Sequence, residues 1–146
     1  MKYYLLKIIT VSLTCFACIQ AVSYANETQW QSWTEQTIEQ AKQQNRLILI
    51  DLTAQWCQFC KKMEQTTYKD KAIIEELQKH YIAIKADEAE FPELARRFPK
   101  VGRPGTIILD SNGNELVTKS GYLKPQWMLW MLQGTHAEHK SKSSSK

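Results

Sequence analysis

One stretch limits the possible folds of this chain more than any other. Leu47-Ile48-Leu49-Ile50 continues into Asp51-Leu52 as a short apolar run broken by a single acid, and Trp56-Cys57-Gln58-Phe59-Cys60-Lys61 follows it after a brief turn. A continuous apolar run of this length belongs to a strand buried on both faces, which places it inside a sheet with helices on either side. The rest of the sequence must therefore supply those helices and the neighbouring strands.

The patterns on either side do so. From Thr28 to Asn45, Trp30, Trp33, Thr37, Ile38 and Ala41 recur at three- and four-residue intervals, a helical stripe. The turn holding Trp56 and Cys57 leads into a helix through Lys61, Lys62, Met63 and Glu64. A further helix runs over residues 70–79 with Asp70 as its N-cap. Residues 81–86 alternate as a second strand, and Phe91 to Phe98 form a short helix stopped by Pro99. Thr106 to Asp110 is a strand, Ser111-Asn112-Gly113-Asn114 a tight turn, and Glu115 to Ser120 the antiparallel return. Pro125 suits the first turn of a last helix through Leu132. The order α-β-α-α-β-α-β-β-α predicts an α/β domain with a central mixed sheet flanked by helices on both faces. Within the last helix, Trp127 to Leu132 is apolar all round, which suits either a well-buried terminal helix or a helix with a docking face.

Charge and cysteine content have to be read by position. The net charge of +4 and the four cysteines belong to 146 residues, too few for two ordinary domains. Residues 1–25 read as a secretory signal: Lys2 and Lys7, then an apolar core from Ile8 to Val22, then Ser23 and Ala25 at the positions a signal peptidase reads. The alternative is a retained anchor helix, although the apolar core is short for one. The tail 136–146, ending Lys-Ser-Lys-Ser-Ser-Ser-Lys, reads as disordered. Between them the body, residues 26–135, holds 14 basic and 14 acidic residues, so nothing in it suggests a nucleic-acid surface. Cys15 and Cys18 leave with the signal. The mature chain keeps only Cys57 and Cys60, in an exported, periplasmic and oxidising setting.

Position gives this pair its chemistry. Unpaired N–H groups and the dipole at a helix N-terminus favour the Cys57 thiolate. Two intervening residues put Cys60 one turn away, where a disulfide can close. The reading makes Cys57, at an exposed mouth, the nucleophile and Cys60 the resolving thiol of a thiol–disulfide exchange. The alternatives are a static staple, which gains little in so small a loop, or half a metal site. A metal would need further ligands from His80, His136 or His139. The expectation is no metal and no cofactor beyond the cysteine pair, with His80 a surface cap and His136 and His139 solvated.

From about Trp30 to Leu132 the sequence resembles the thioredoxin superfamily. The segment Ile50 to Lys61 resembles its active-site strand and motif, and Pro104 before the strand Thr106 to Asp110 resembles its cis-proline. Asp51-Leu52 and the Leu109-Asp110-x-x-Gly113 hairpin are most similar to the exported C-terminal domain of DsbD-type electron-transfer proteins and their stand-alone relatives. The resemblance implies a thioredoxin fold and a protein-disulfide oxidoreductase, with disulfide- or thiol-bearing proteins as substrates and a membrane electron donor of DsbD type. It also implies that Asp51, six residues before Cys57, takes the proton of the resolving thiol, a role that burial would favour by raising its pKa. The bland alternative pairs Asp51 with Lys85. The loop Arg103-Pro104-Gly105 would hold extended substrate beside Cys57, with Trp56, Gln58 and Phe59 as the other contacts.

Two departures from the family stand out. Arg103 precedes the proline, where its cation would lower the Cys57 pKa and attract acidic segments. Gly105 follows it and would make the loop permissive. Gln58-Phe59 matches the dipeptide of neither strong reductants nor strong oxidants, so the direction of electron flow stays open, with reduction favoured by the DsbD likeness. A reading of another class is a polypeptide-binding module with incidental cysteines.

Overall fold

The computed structural model describes residues 27–145. The segment 1–25 that the sequence reads as a signal, with Cys15 and Cys18, lies outside the described residues. Helix α1 (Glu35–Gln44) is followed by β1 (Leu47–Thr53), α2 (Gln58–Gln65), a 3₁₀ turn (Thr67–Lys69), α3 (Lys71–His80) and β2 (Tyr81–Asp87). The second half comprises α4 (Pro92–Arg97), β3 (Gly105–Leu109), β4 (Glu115–Ser120) and α5 (Pro125–Ser144). The sheet order is β2-β1-β3-β4. Strand β2 lies parallel to β1, and β3 and β4 are antiparallel additions. The element order and the mixed sheet are those the sequence predicts.

Local chemistry sets the boundaries. Thr34 Oγ1 accepts from the Thr37 N–H at the head of α1, and Asn45 ends that helix at φ 48° with its N–H on the carbonyls of Ala41 and Lys42, a left-handed cap that Asn tolerates. Asp70 caps α3 by accepting from the N–H groups of Ala72 and Ile73. In the β3–β4 turn the Asp110 carboxylate accepts from the backbone of Asn112 and Asn114, and Gly113 supplies the positive φ of 83°.

The sheet divides the interior into two cores because successive residues of β1 point to opposite faces. Ile48, Ile50 and Leu52 face α1 and α4, packing with Ala41, Leu94 and Phe98. Leu47 and Leu49 face α2, α3 and α5, packing with Met63, Ile73, Leu77, Met128 and Leu132. All seven residues of β1 are buried, as its uniform apolarity requires. At the outer edge of β2, Gln31 adds an isolated bridge to Ile84, and Trp30 sets its ring edge-on to Tyr68 at 4.7 Å.

Helix α5 differs from the sequence reading in its length. It does not stop near Leu132 but runs to Ser144, through the tail expected to be disordered. A Glu138–Lys142 pair spans one turn, serine hydroxyls bond back to carbonyls three and four residues earlier, and His136 stacks on His80 of α3. Together these local and tertiary contacts supply what the polar composition lacks. Of the apolar hexad, Met128 and Leu132 are fully buried, whereas Trp127 and Trp130 are 59% and 55% exposed and pack edge-to-face at 5.1 Å. One stripe covers the sheet and the tryptophans face outward. Among the described residues no helix is long and apolar enough to cross a membrane.

Candidate active site

Strand β1 ends at Thr53, and a turn closed by the Cys57 N–H on the Ala54 carbonyl delivers the cysteine to the head of α2. Cys57 is the N-cap of that helix: its backbone is extended (φ −82°, ψ 102°) and its sulfur accepts from the Cys60 N–H at 3.1 Å. A sulfur at this position receives a backbone donor and the positive end of the helix dipole, both of which favour a thiolate once the pair is reduced. Cys57 and Cys60 form a disulfide with Cα atoms 5.3 Å apart, inside the range a bridge accepts without backbone movement.

The sequence reading sets Cys57 at an exposed mouth, and here the structure corrects it. Cys57 is 3% exposed and Cys60 2%, the two packing with Ala54. Capping the helix turns the Cys57 sulfur inward, and the residues beside it project instead. Trp56 is 69% and Phe59 59% exposed, and Gln58 is also exposed. Two exposed aromatic side chains therefore neighbour the buried cysteines along the chain.

Trp56 is held in place through a residue the sequence reading missed. Its indole Nε1 donates to Glu88 Oε1 at 3.0 Å, while the other carboxylate oxygen of Glu88 pairs with Arg103 Nη2 at 3.0 Å. The Glu88 N–H in turn bonds to the Thr53 carbonyl at 2.9 Å. Because β2 runs parallel to β1 with Thr53 opposite Asp87, the first residue past β2 arrives beside the turn that carries the cysteines. No local pattern in the sequence announces that meeting; only the strand register does.

Arg103 is corrected as well. Its side chain is 8% exposed and its guanidinium is matched by Glu88 and by the Val101 carbonyl at 2.6 Å, so its charge is compensated within the fold rather than presented to acidic substrates. The Arg103–Pro104 peptide is cis, Pro104 is buried, and its carbonyl accepts from the Gly121 N–H at 2.7 Å. Gly105 pairs with Leu52, which sets this loop level with the end of β1 that leads to Cys57. The glycine is required for space, not for freedom. A Cβ there would meet Val101 Cγ1 at 2.5 Å and the Gly102 carbonyl at 2.8 Å.

Asp51 is 1% exposed and points to the face covered by α2 and α3, in register with Lys85 on β2 and Thr106 on β3. Burial pushes its pKa up to about 7, opposed by the Lys85 cation, reinforced by the Glu64 carboxylate and opposed by the Tyr68 hydroxyl. Lys85 makes its ion pair with Glu64 of α2 rather than with Asp51, leaving the buried acid without a bound cation. Asp51 Oδ1, the Tyr68 hydroxyl and Thr106 Oγ1 are all buried with no well-formed hydrogen bond among the described residues. The Tyr68 hydroxyl, itself pushed well above its usual range first by burial and then by Asp51, is the second participant that sequence reading missed.

Comparisons with known proteins bear on the family and the fold. The family model Thioredox_DsbH, described as "Protein of unknown function, DUF255", matches residues 19–113. A thiol:disulfide interchange protein DsbD of Yersinia pestis is 30% identical over 102 residues, covering 66% of this chain and 17% of the relative. The chain thus spans about a sixth of the length of that curated relative. Among solved structures, a thioredoxin from Thermus thermophilus superposes with a TM-score of 0.66 at 18% identity, over 74% of this chain and 86% of that one. The DsbD C-terminal domain of Neisseria meningitidis in its reduced form gives 0.58 at 19% identity, over 68% and 90%. These likenesses establish a thioredoxin fold.

Proposed function

Since the chain belongs to the Thioredox_DsbH family, we propose that it is an exported thiol–disulfide oxidoreductase that reduces or rearranges disulfides in protein substrates. The observation that carries the reading is the Cys57–Cys60 disulfide at the head of α2, on the helix that packs over the face bearing a buried acid with a pKa near neutrality.

In the reduced enzyme the Cys57 thiolate attacks one sulfur of a substrate disulfide. A Cys57–substrate disulfide forms and the other substrate sulfur leaves as a thiolate. Cys60 gives its proton to Asp51, directly or through water, and its thiolate attacks the Cys57 sulfur. The mixed disulfide breaks, the Cys57–Cys60 bond forms, and the second substrate thiolate departs. Two electrons have passed from the dithiol to the substrate. An acid with a pKa of about 7 suits this transfer, because it can take up and return a proton at working pH. Trp56, Gln58 and Phe59 border the approach to the cysteines, and the Pro104 loop offers backbone to an extended substrate. The likeness to DsbD supports reduction as the direction, a DsbD-type membrane protein as electron donor, and the periplasm as the compartment.

Insulin-disulfide reduction tests the activity. Wild type reduces insulin and Cys57→Ser does not, while Cys60→Ser accumulates the mixed disulfide that Cys60 normally resolves. If wild type and Cys57→Ser behave alike, the oxidoreductase reading fails and the chain is a polypeptide-binding module. Equilibration with glutathione tests direction: a reductant lies below about −200 mV, and a potential near the strongly oxidising value of about −120 mV overturns that preference.

A further inference from the structure

We propose that Glu76, His80 and His136 form a binding site for a divalent late-transition-metal ion of the zinc class, at the end of the sheet opposite the cysteine pair. Glu76 and His80 stand four residues apart on α3, so both lie on one helix face. His136 reaches them from α5, in the stretch beyond Leu132 that the sequence alone leaves disordered. One ligand atom from each of the three lies within 4.8 Å of the other two, and the two imidazoles stack at 3.8 Å with 19° between their planes. All three residues are partly buried: fixed by their helices, yet accessible to an ion.

Their convergence is held by the fold. The Tyr81 hydroxyl, at the junction of α3 and β2, donates to the Leu132 carbonyl of α5 at 2.6 Å, locking the two helices in register one turn before His136. Two imidazoles and a carboxylate are a donor set suited to zinc, which takes three protein ligands and leaves a fourth position for water or another ligand. Tetrahedral coordination at about 2.0 Å places ligand atoms about 3.3 Å apart, so the two near-parallel rings must turn out of their stack for each to direct a lone pair at one ion. His139 lines the same cleft, beside Lys79, Lys140 and Ser143. Arg46 and Leu47 line it too, which puts it at the start of β1, whereas Cys57 follows its end. An ion there would pin the second half of α5 to α3 without reaching the cysteines.

The test is calorimetric titration of zinc chloride into the oxidised, tag-free chain, with the cysteines locked in their disulfide. The site requires saturable binding of one ion per chain, weakened about tenfold or more by His80→Ala and by His136→Ala, and a melting temperature that zinc raises in wild type but not in His136→Ala. Circular dichroism of the zinc-free variants checks that each folds. Absence of saturable binding, or affinity unchanged in both folded variants, overturns the proposal. With cobalt as the probe, a visible ligand-field band that disappears in His136→Ala supports the same ligands, and a band that persists there counts against them.

Discussion

Replacing Asp51 by Asn separates two effects of one buried carboxyl. In the folded chain its pKa is about 7, against 3.8 for the free side chain. Between those two pH values the folded state holds a proton that the unfolded state has released, so stability falls as pH rises through the window and levels off above the folded pKa. Each tenfold change in proton affinity corresponds to 1.36 kcal/mol, and the interval amounts to about 4 kcal/mol. Asparagine has the shape of the neutral acid and cannot ionise. The oxidised Asp51→Asn variant should therefore match wild type near pH 4 and become progressively more stable above it, by up to about 4 kcal/mol at pH 8. In the reduced protein the same change removes the proposed proton acceptor for Cys60 and should slow insulin reduction about a hundredfold. Urea denaturation of both proteins from pH 4 to pH 8 measures the first effect, and turnover at pH 7 the second. A stability difference that does not grow with pH, or a variant less stable than wild type at pH 8, would refute the reasoning, because Asp51 would then be ionised and well solvated in the folded state.

Two further substitutions test the surroundings of the disulfide. Glu88→Ala removes the carboxylate shared by Trp56 and the nearly buried Arg103; it should cost about 1–3 kcal/mol in denaturant unfolding and shift Trp56 fluorescence, and an unchanged emission spectrum would show that the indole is not held by this bond. Gly105→Ala forces a Cβ against Val101 and the Gly102 carbonyl and should cost about 1–3 kcal/mol; a loss below about 0.5 kcal/mol would mean that the loop has room to give.

Local pattern decides what the sequence can state by itself. The run from Leu47 to Leu52 has one solution, a strand covered on both faces, and the structure buries all of it. Asp70 acts as a cap through donors within three residues, and Cys57 and Cys60 close over one helical turn. In each case the partners are a few residues away, so spacing is enough. Asp51 belongs here in part: an acid inside an apolar strand must be buried, and burial is the first cause of its raised pKa.

Whatever depends on distant partners was settled only by the tertiary structure. Arg103 looks like a free cation until the parallel register of β1 and β2 brings Glu88 to it, and Lys85 looks like a partner for Asp51 until α2 supplies Glu64. Gly105 looks like a flexible point until the chain folds Val101 back onto it. The tail from His136 looks disordered because its composition is polar, and its helix gains from His80, a residue on another element. The physical reason is the same throughout. Periodicity reports which side of an element is dry, whereas pairing between charges and close approach of backbones depend on which elements the sheet sets side by side.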